Sequence, residues 1–293
     1  PHDQARSRVY RWSEDGLAGV CDVEQRLCFA LTFWNGEDPI LKERIFGLTG
    51  NEGNHGEDAK EYWWYLDAVP SHAWLRWRYH YPQRAFPYQL LLRENRRRSK
   101  LEPEFELLDT DAFDEDRYWI VEALYAKDGP QDLRIRILLT NAGPEPVTLH
   151  VLPTLWYRNT WSWDPGMARP RLATGGDATI IAEHERFGPM VLQAAAGPDG
   201  AMPAQLFCEN ETNAQRLFGS RSSTPYPKDG INDHVIHGAA TVNPAQEGTK
   251  AAFWYQVTVS PGGTAELSLR LAPAAAADPS VFGPAFDKVL SQR

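Results

Sequence analysis

A glycine-rich segment in the first third of the chain places polar side chains where they could hold a ligand. Three glycines, Gly50, Gly53 and Gly56, follow a G-x-x-G-x-x-G spacing. This spacing is neither a dinucleotide fingerprint nor a P-loop, because no G-x-G-x-x-G precedes an apolar helix and no GK[ST] follows. Two interpretations remain: a backbone that needs positive φ at several points, or a tight loop that binds sugar hydroxyls or a neighbouring domain. The side chains assigned to that second function are Asn54, His55, Glu57 and Asp58.

Ten aromatic residues lie between Tyr62 and Tyr88. Flat aromatic faces stack on the apolar faces of sugar rings, and nearby carboxylates and amides can bind the hydroxyls. Large aromatics also fill thick β-sandwich cores, and we interpret most of the ten in that way. Trp63, close to the glycines, is assigned to the candidate binding site.

A second group of candidate residues occurs in LPTLWYRNTWSWDPG, just past a predicted strand. Exposed tryptophans on a loop favour a ligand or partner that covers them. The alternative is that they fold back onto their own sandwich. The candidate binding residues here are Arg158, Asn159, Trp161, Trp163 and Asp164.

Carboxylates are numerous enough to raise the question of glycosidase chemistry, which uses two of them across the scissile bond. The sequence does not give their separation. The candidates are Glu57, Asp58, Asp109, Asp111, Asp114 and Asp116. His234 and His237 with Asp233 lack a third well-spaced metal ligand, so they indicate an ordinary polar loop. We therefore predict no metal and no cofactor.

The composition argues against two kinds of partner, nucleic acid and a lipid bilayer. The 293-residue chain has a formal charge of −9, which disfavours nucleic acid, and no apolar run of membrane-helix length. Three cysteines in no CxxC motif indicate a reducing compartment, and we expect a cytoplasmic protein. Cys21 and Cys28 could nevertheless face each other across a short hairpin. The chain starts at Pro1 and resembles a piece of a longer protein.

The elements that would position these residues are mainly strands. Period-two alternation predicts strands at 74–81, 133–139, 147–151, 253–259 and 265–271, with shorter ones at 27–33, 119–125, 190–193 and 205–208. Twenty-two glycines and 22 prolines suit many short strands joined by turns. We predict a two-sheet antiparallel β-sandwich with one or two short helices. The residues expected to lead its buried faces are Leu75, Trp77, Ile135, Ile137, Leu149, Val151, Val257 and Leu269.

Helical patterns are few. One helix is predicted from Tyr88 to Leu101, after Pro87, and another begins at Pro284. The segment PAAAADP has the composition of an interdomain linker. We therefore expect a sandwich domain over 1–272 and, over 273–293, a linker and the start of a helix leading to a further domain.

Three long blocks carry a family resemblance: HDQARSRVYRWSEDGLAG, LCFALTFWNGEDPILKERIFGLTGNEGNHGEDAKEYWWYLDAVPSHAW and VLPTLWYRNTWSWDPG. They resemble the N-terminal domain of bacterial glucosidase-like proteins of glycoside hydrolase family 63, relatives of mannosyl-oligosaccharide glucosidase. The resemblance implies a mutarotase-like supersandwich followed by an (α/α)6 barrel. In that family the general acid and base come from the barrel, so it implies no catalytic residue in this chain.

The resulting expectation is a non-catalytic domain of an inverting α-glycosidase. It would pack on its own catalytic barrel and shape the cleft for an oligosaccharide substrate. Two alternatives stay open: a free-standing carbohydrate-binding module, and a mutarotase-like epimerase. The epimerase would need a histidine and a carboxylate converging on a concave sheet.

Overall fold

Two antiparallel sheets form the framework of the computed structural model, which describes residues 17–43, 62–164, 166–278 and 281–293. The predicted Asn54, His55, Glu57 and Asp58 lie outside these ranges. The first seven described strands are β1 (Leu17–Cys21), β2 (Leu27–Trp34), β3 (Tyr62–Ala68), β4 (Trp74–Pro82), β5 (Tyr118–Gly129), β6 (Asp132–Asn141) and β7 (Val147–Tyr157). The others are β8 (Arg171–Thr174), β9 (Thr179–His184), β10 (Phe187–Ala194), β11 (Ala204–Cys208), β12 (Glu247–Gly248), β13 (Lys250–Val259) and β14 (Thr264–Pro273).

The smaller sheet has five described strands in the order β1-β2-β7-β13-β11, and the larger has nine described strands in the order β12-β8-β9-β10-β14-β6-β5-β4-β3. All the described strand pairs in both sheets are antiparallel. The predicted mainly-β fold of two antiparallel sheets is therefore confirmed. At one edge Gly248 lies against the Cys208 carbonyl of the other sheet, where a Cβ would collide with that oxygen.

The core lies between the two sheets because each strand turns alternate apolar side chains inward. Seven of the eight residues expected to lead the buried faces are buried, and Leu75 is half-buried at the rim. Large aromatics fill much of this layer: Tyr79 and Tyr81 stack with centroids 5.6 Å apart, and Trp77 lies 5.8 Å from Tyr79. Most of the aromatics between residues 62 and 88 thus have the structural role that their density indicated.

Four α-helices of the described chain lie outside the sandwich: α1 (Tyr88–Arg97), α2 (Ala214–Phe218), α3 (Gly230–His237) and α4 (Pro284–Gln292). Short 3-10 turns occupy Leu107–Asp109, Asp114–Asp116 and Ala274–Ala276. Helix α1 ends before the predicted Leu101 because the chain becomes extended at Arg98. There the Ser99 amide bonds the Glu102 carboxylate at 2.7 Å, and this side-chain turn replaces a further helical turn.

The outer face of each sheet carries a helix. Ile231 and Val235 of α3 join an apolar cluster on the smaller sheet with Leu152 and Ala252. On the larger sheet, α4 contacts β5 and β6 and buries Phe286. Among the described residues, no helix combines the length and apolar composition that crossing a bilayer requires.

Candidate functional site

The loop between β7 and β8, of which residues 158–164 and 166–170 are described, is called the tryptophan loop below, and its own polar side chains help to hold it in place. Its entry is fixed by the Arg158 amide, which donates to the Arg26 carbonyl at 2.9 Å. Asn159 Oδ1 accepts from the Ser162 amide at 3.1 Å, and Asp164 Oδ1 accepts from the Gly166 amide at 2.9 Å. These are side-chain turns of the kind that Asn and Asp favour. Asn159 and Asp164, both predicted as binding residues, therefore shape the loop.

Trp161 faces inward. Its indole packs against the rim of the main core, and Nε1 donates to Glu211 Oε1 at 3.0 Å. The Arg169 guanidinium lies 6.0 Å from the centre of its ring. This residue thus matches the alternative interpretation, in which a loop tryptophan folds back onto its own sandwich.

A pair of carboxylates beneath the tryptophan loop was missed in the sequence. Glu209 and Glu211 follow β11 directly, with Asn210 between them. One nitrogen of Arg169, Nη2, bridges them, at 2.6 Å from Glu209 and 3.0 Å from Glu211. The only available signal was the alternation ENE directly after a strand, which sends two carboxylates to the same side.

Each of these two carboxylates is held by more than Arg169. Thr249 Oγ1 donates to Glu209 Oε2 at 2.7 Å, and the Ser223 hydroxyl donates to Glu211. A glycosidase needs one carboxyl group free to donate a proton and another free to accept one. Here both are tied to a cation and to hydroxyl donors, so the arrangement suits binding rather than acid–base catalysis.

Trp163 points outward and is 65% exposed. The Arg158 guanidinium lies 6.0 Å from the centre of its ring, within cation–π range, and Arg158 Nη1 donates to Gln25 Oε1 at 3.2 Å. The tip of the loop therefore offers a broad apolar face beside a cation that is anchored on the β1–β2 hairpin.

A groove of about 580 Å³ is lined by Arg169 and its neighbours in the tryptophan loop and by residues of β9 and β10. His184 and Phe187 stack in its wall with ring centroids 4.6 Å apart. Burial lowers the pKa of His184, with a smaller contribution from Arg26. Arg171, also in the wall, is paired with Glu183 at 3.3 Å. The groove thus combines an aromatic wall with charged groups, as sites for polar ligands do.

The outer face of the larger sheet carries a histidine and a carboxylate on neighbouring strands, which invites comparison with an epimerase. Glu122 on β5 accepts from Arg76 Nη2 at 2.5 Å and from Arg78 on its other oxygen. Burial alone raises the pKa of Glu122, but the hydrogen bonds from the two arginines outweigh it and the net shift is downward. A carboxylate held in this way is a poor proton acceptor.

His80 lies two residues along β4 from Arg78 and stands between two aromatic rings. Its ring centroid is 4.7 Å from that of Trp64 and 5.1 Å from that of Tyr118. Burial, with help from Arg78, lowers the pKa of His80 to about 4. With its pKa lowered in this way His80 is a weak proton acceptor, and no hydrogen bond joins it to Glu122 among the described contacts. This surface gives no support to the epimerase alternative.

Other predicted residues are dispersed. Trp63 is a core residue, 3% exposed, with its ring 5.9 Å from Trp77, so the structure removes it from the surface site. Asp109 caps a 3-10 turn through the Glu106 amide, and Asp111 pairs with Arg84 at 3.4 Å. Within the described ranges, no three His, Cys, Asp or Glu side chains gather as a metal site would require.

Comparison with known proteins adds one sequence relative. No family model matches the chain. The uncharacterized protein YMR196W of Saccharomyces cerevisiae (strain ATCC 204508 / S288c) is 36% identical over 295 residues, which cover 90% of this chain. The chain spans 27% of the length of that relative.

Two solved structures show weak similarity. The polysaccharide lyase BACCELL_00875 aligns with 85% of this chain and 25% of its own, at 13% identity and a TM-score of 0.35. A protein provisionally described as an aldose 1-epimerase, from Escherichia coli K12, aligns with 74% of this chain and 71% of its own, at 11% identity and a TM-score of 0.30. The description of the fold therefore rests on the sheets themselves.

Proposed function

We propose that this chain is a non-catalytic β-sandwich domain of a larger carbohydrate-active protein, of the inverting α-glycosidase type that its sequence resembles. The tryptophan loop would face the catalytic domain and help to form the cleft for an oligosaccharide. A yeast relative in which the matched region is 27% of the length is consistent with a domain of a longer protein.

The observation that carries the proposal is the contrast between Trp161 and Trp163. The first anchors the loop on the core and on Glu211, and the second leaves an indole 65% exposed at the tip. Holding a large aromatic face toward solvent forgoes the free energy of burying it. An exposed indole next to Arg158 is suited to stacking on a sugar ring or to packing against a neighbouring domain.

The carboxylates explain why catalysis is assigned elsewhere. Glu209 and Glu211 share Arg169, and Glu122 shares its two oxygens between two arginines. Burial raises the pKa of Glu122, but the hydrogen bonds from Arg76 and Arg78 outweigh it, and the net downward shift makes Glu122 a poor proton donor. The oxygens of Glu209 and Glu211 are occupied by Arg169 and by the hydroxyls of Thr249 and Ser223. The general acid and base are proposed to lie in another domain of the protein.

The first test is hydrolysis. The purified chain should release no sugar from α-linked gluco-oligosaccharides, whereas the full-length gene product should do so. Turnover by the chain alone that is lost on Glu211→Gln would show that the carboxylates act chemically, and the proposal would be wrong.

The second test isolates Trp163 in the full-length gene product. Trp163→Ala should raise KM for an oligosaccharide about tenfold, since an aromatic–sugar or aromatic–domain contact is worth on the order of 1.4 kcal/mol. Tyr65→Ala is the matched control, because Tyr65 is an aromatic residue of similar exposure, 68%, and belongs to β3 rather than to the tryptophan loop. Equal KM values for the two variants would show that Trp163 makes no specific contribution to the substrate cleft, and the proposed role of the tryptophan loop would be wrong.

A further inference from the structure

The hairpin of β1 and β2 brings two of the three cysteines together. Cys21 and Cys28 are direct partners in the antiparallel register, one at the end of β1 and the other near the start of β2. The next pair toward the turn, Asp22 and Leu27, is a hydrogen-bonded pair: the Asp22 amide donates to the Leu27 carbonyl at 3.3 Å. Hydrogen-bonded and non-hydrogen-bonded pairs alternate along an antiparallel ladder, so the cysteines occupy a non-hydrogen-bonded position.

That position meets the geometric requirement for a disulfide. Directly opposed residues in a non-hydrogen-bonded pair have Cα atoms about 4.5 Å apart, with both side chains on the same face of the sheet. Disulfides accept Cα separations of about 4.4–6.8 Å. The two sulfurs can therefore bond without a change in strand register.

The pair is also accessible and chemically distinct from the third cysteine. Cys21 is exposed on the outermost described strand of the smaller sheet, and Cys28 is half-buried. The neighbouring Cys28 thiol lowers the pKa of Cys21 to about 7, whereas Cys21 and burial raise the pKa of Cys28, so Cys21 is the more readily ionised of the two thiols. Cys208 is fully buried, and burial raises its pKa to about 12.

We propose that Cys21 and Cys28 form a reversible modification site, a cross-strand disulfide made by exchange with a small-molecule disulfide such as oxidised glutathione. The Cys21 thiolate attacks one sulfur of the small molecule, forms a mixed disulfide and releases one thiolate. Cys28 then gives its proton to solvent, and its thiolate attacks the Cys21 sulfur; the Cys21–Cys28 bond forms as the mixed disulfide bond breaks and the second small-molecule thiolate leaves. Two protein thiols are oxidised and one small-molecule disulfide is reduced to two thiols.

The modified hairpin supports the candidate site. Its turn, residues 22–26, bonds Arg158 twice: the Arg26 carbonyl accepts from the Arg158 amide at 2.9 Å, and Gln25 Oε1 accepts from Nη1 at 3.2 Å. Arg158 in turn lies beside Trp163. A disulfide next to this turn restricts its opening and so fixes the support on which Arg158 rests.

The test is equilibration of the purified chain with oxidised glutathione at neutral pH, followed by thiol counting and non-reducing peptide mapping. The expected product has one disulfide between Cys21 and Cys28 and one remaining thiol, Cys208, and dithiothreitol should restore all three thiols. In Cys28→Ser, Cys21 should instead accumulate the glutathione adduct because the second exchange step is missing. Cys208→Ser is the matched control and should form the Cys21–Cys28 disulfide as the unmodified chain does.

Three free thiols after equilibration would overturn the proposal, and so would a disulfide-linked dimer through Cys21. The link to the candidate site is tested separately by hydrogen exchange. Oxidation should slow exchange of the Arg158 amide by at least several-fold. Exchange should not change in the middle of the larger sheet, for example at the amide of Leu267 on β14, which lies opposite Ile137. Unchanged exchange at Arg158 would disprove the coupling.

Discussion

At the scale of single residues, the two tryptophans of the tryptophan loop differ in what they contact. Trp161 packs on the core and donates to Glu211, whereas Trp163 is mostly exposed. Trp161→Ala should therefore lower the free energy of unfolding of the chain by about 2 kcal/mol, below the full cost of emptying a core site because the indole is only half-buried. Trp163→Ala should change the free energy of unfolding by less than about 0.5 kcal/mol. Denaturant titration of both variants measures the difference, and equal values would contradict this account of the loop.

Glu122 provides a residue-scale prediction that depends on pH. Its carboxylate lies between Arg76 and Arg78, and Glu122 is 7% exposed. Glu122→Gln should lower the free energy of unfolding at neutral pH by about 1–2 kcal/mol, less than for a fully buried pair because both arginines are partly exposed.

The sign of the pH dependence follows from the lowered pKa of Glu122 in the folded protein. The stabilisation is present above the unfolded-state pKa of about 4.3 and is lost as the pH falls through the folded-state value. The difference in the free energy of unfolding between Glu122→Gln and the unmodified chain should thus disappear in acid. Glu183→Gln, at the exposed pair with Arg171, is the control and should show a gap below about 0.5 kcal/mol at every pH. A gap for Glu122→Gln that persists in strong acid would contradict the assignment.

At the scale of elements, α4 shows how an amphipathic segment can dock on the outer face of a sheet. The sequence of residues 273–293 predicts a linker and the start of a helix. In the structure, β14 continues to Pro273 and the helix returns to β5 and β6. The guanidinium groups of Arg134 and Arg136 lie over the Phe286 ring, and Arg136 also bonds the Asp287 carboxylate.

Phe286→Ala should release α4 without unfolding the sandwich. Phe286 is 1% exposed, and truncating a buried phenylalanine costs about 3–5 kcal/mol. A nine-residue helix has little stability of its own, so the loss should appear as fast hydrogen exchange confined to α4. Phe218→Ala, in a residue that is 74% exposed, is the control and should leave exchange unchanged. Faster exchange spread through β5 and β6 would show that the helix and sheet unfold as one unit.

At the scale of the whole molecule, both sheets contribute to one core. Ile137 from the larger sheet and Phe253 from the smaller sheet belong to the same buried cluster. A single shared core predicts one cooperative unfolding transition. Ile137→Ala should lower the free energy of unfolding by about 2–5 kcal/mol. The midpoint of the transition should fall, and the transition should remain single. Separate midpoints by far-UV and near-UV circular dichroism would indicate that the sheets unfold independently.

Much of the architecture could be predicted because its signal is local. Strands 133–139 and 253–259 were predicted from alternation alone, since side chains of an extended chain point to opposite faces and one face must be buried. The sequence left the facing of Cys21 and Cys28 across a short hairpin as an open possibility, and the register of β1 and β2 makes them direct partners. Helix ends were less certain, because the Ser99–Glu102 turn that ends α1 competes with the helix through side-chain bonds.

The candidate site was only partly predictable from the sequence. The tryptophan loop was identified from its aromatics, but Trp163 could not be distinguished from Trp161, nor the core role of Trp63 from a surface role. Glu209 and Glu211 were not selected, because their partner Arg169 is distant in the chain and lies on a different loop. Ion pairs of this kind are set by tertiary contacts, and the short alternation ENE after β11 did not identify the partner of the two carboxylates.

The sequence by itself determined the fold class, the strand faces and the absence of any nucleotide-binding glycine motif, because periodicity and turn chemistry act over a few residues. The tertiary structure decided which tryptophan stays in solvent, which carboxylates are bound by arginine and where α4 docks. Those outcomes depend on surfaces that meet only after the two sheets have packed, when burial makes an unpaired charge costly and selects its partner.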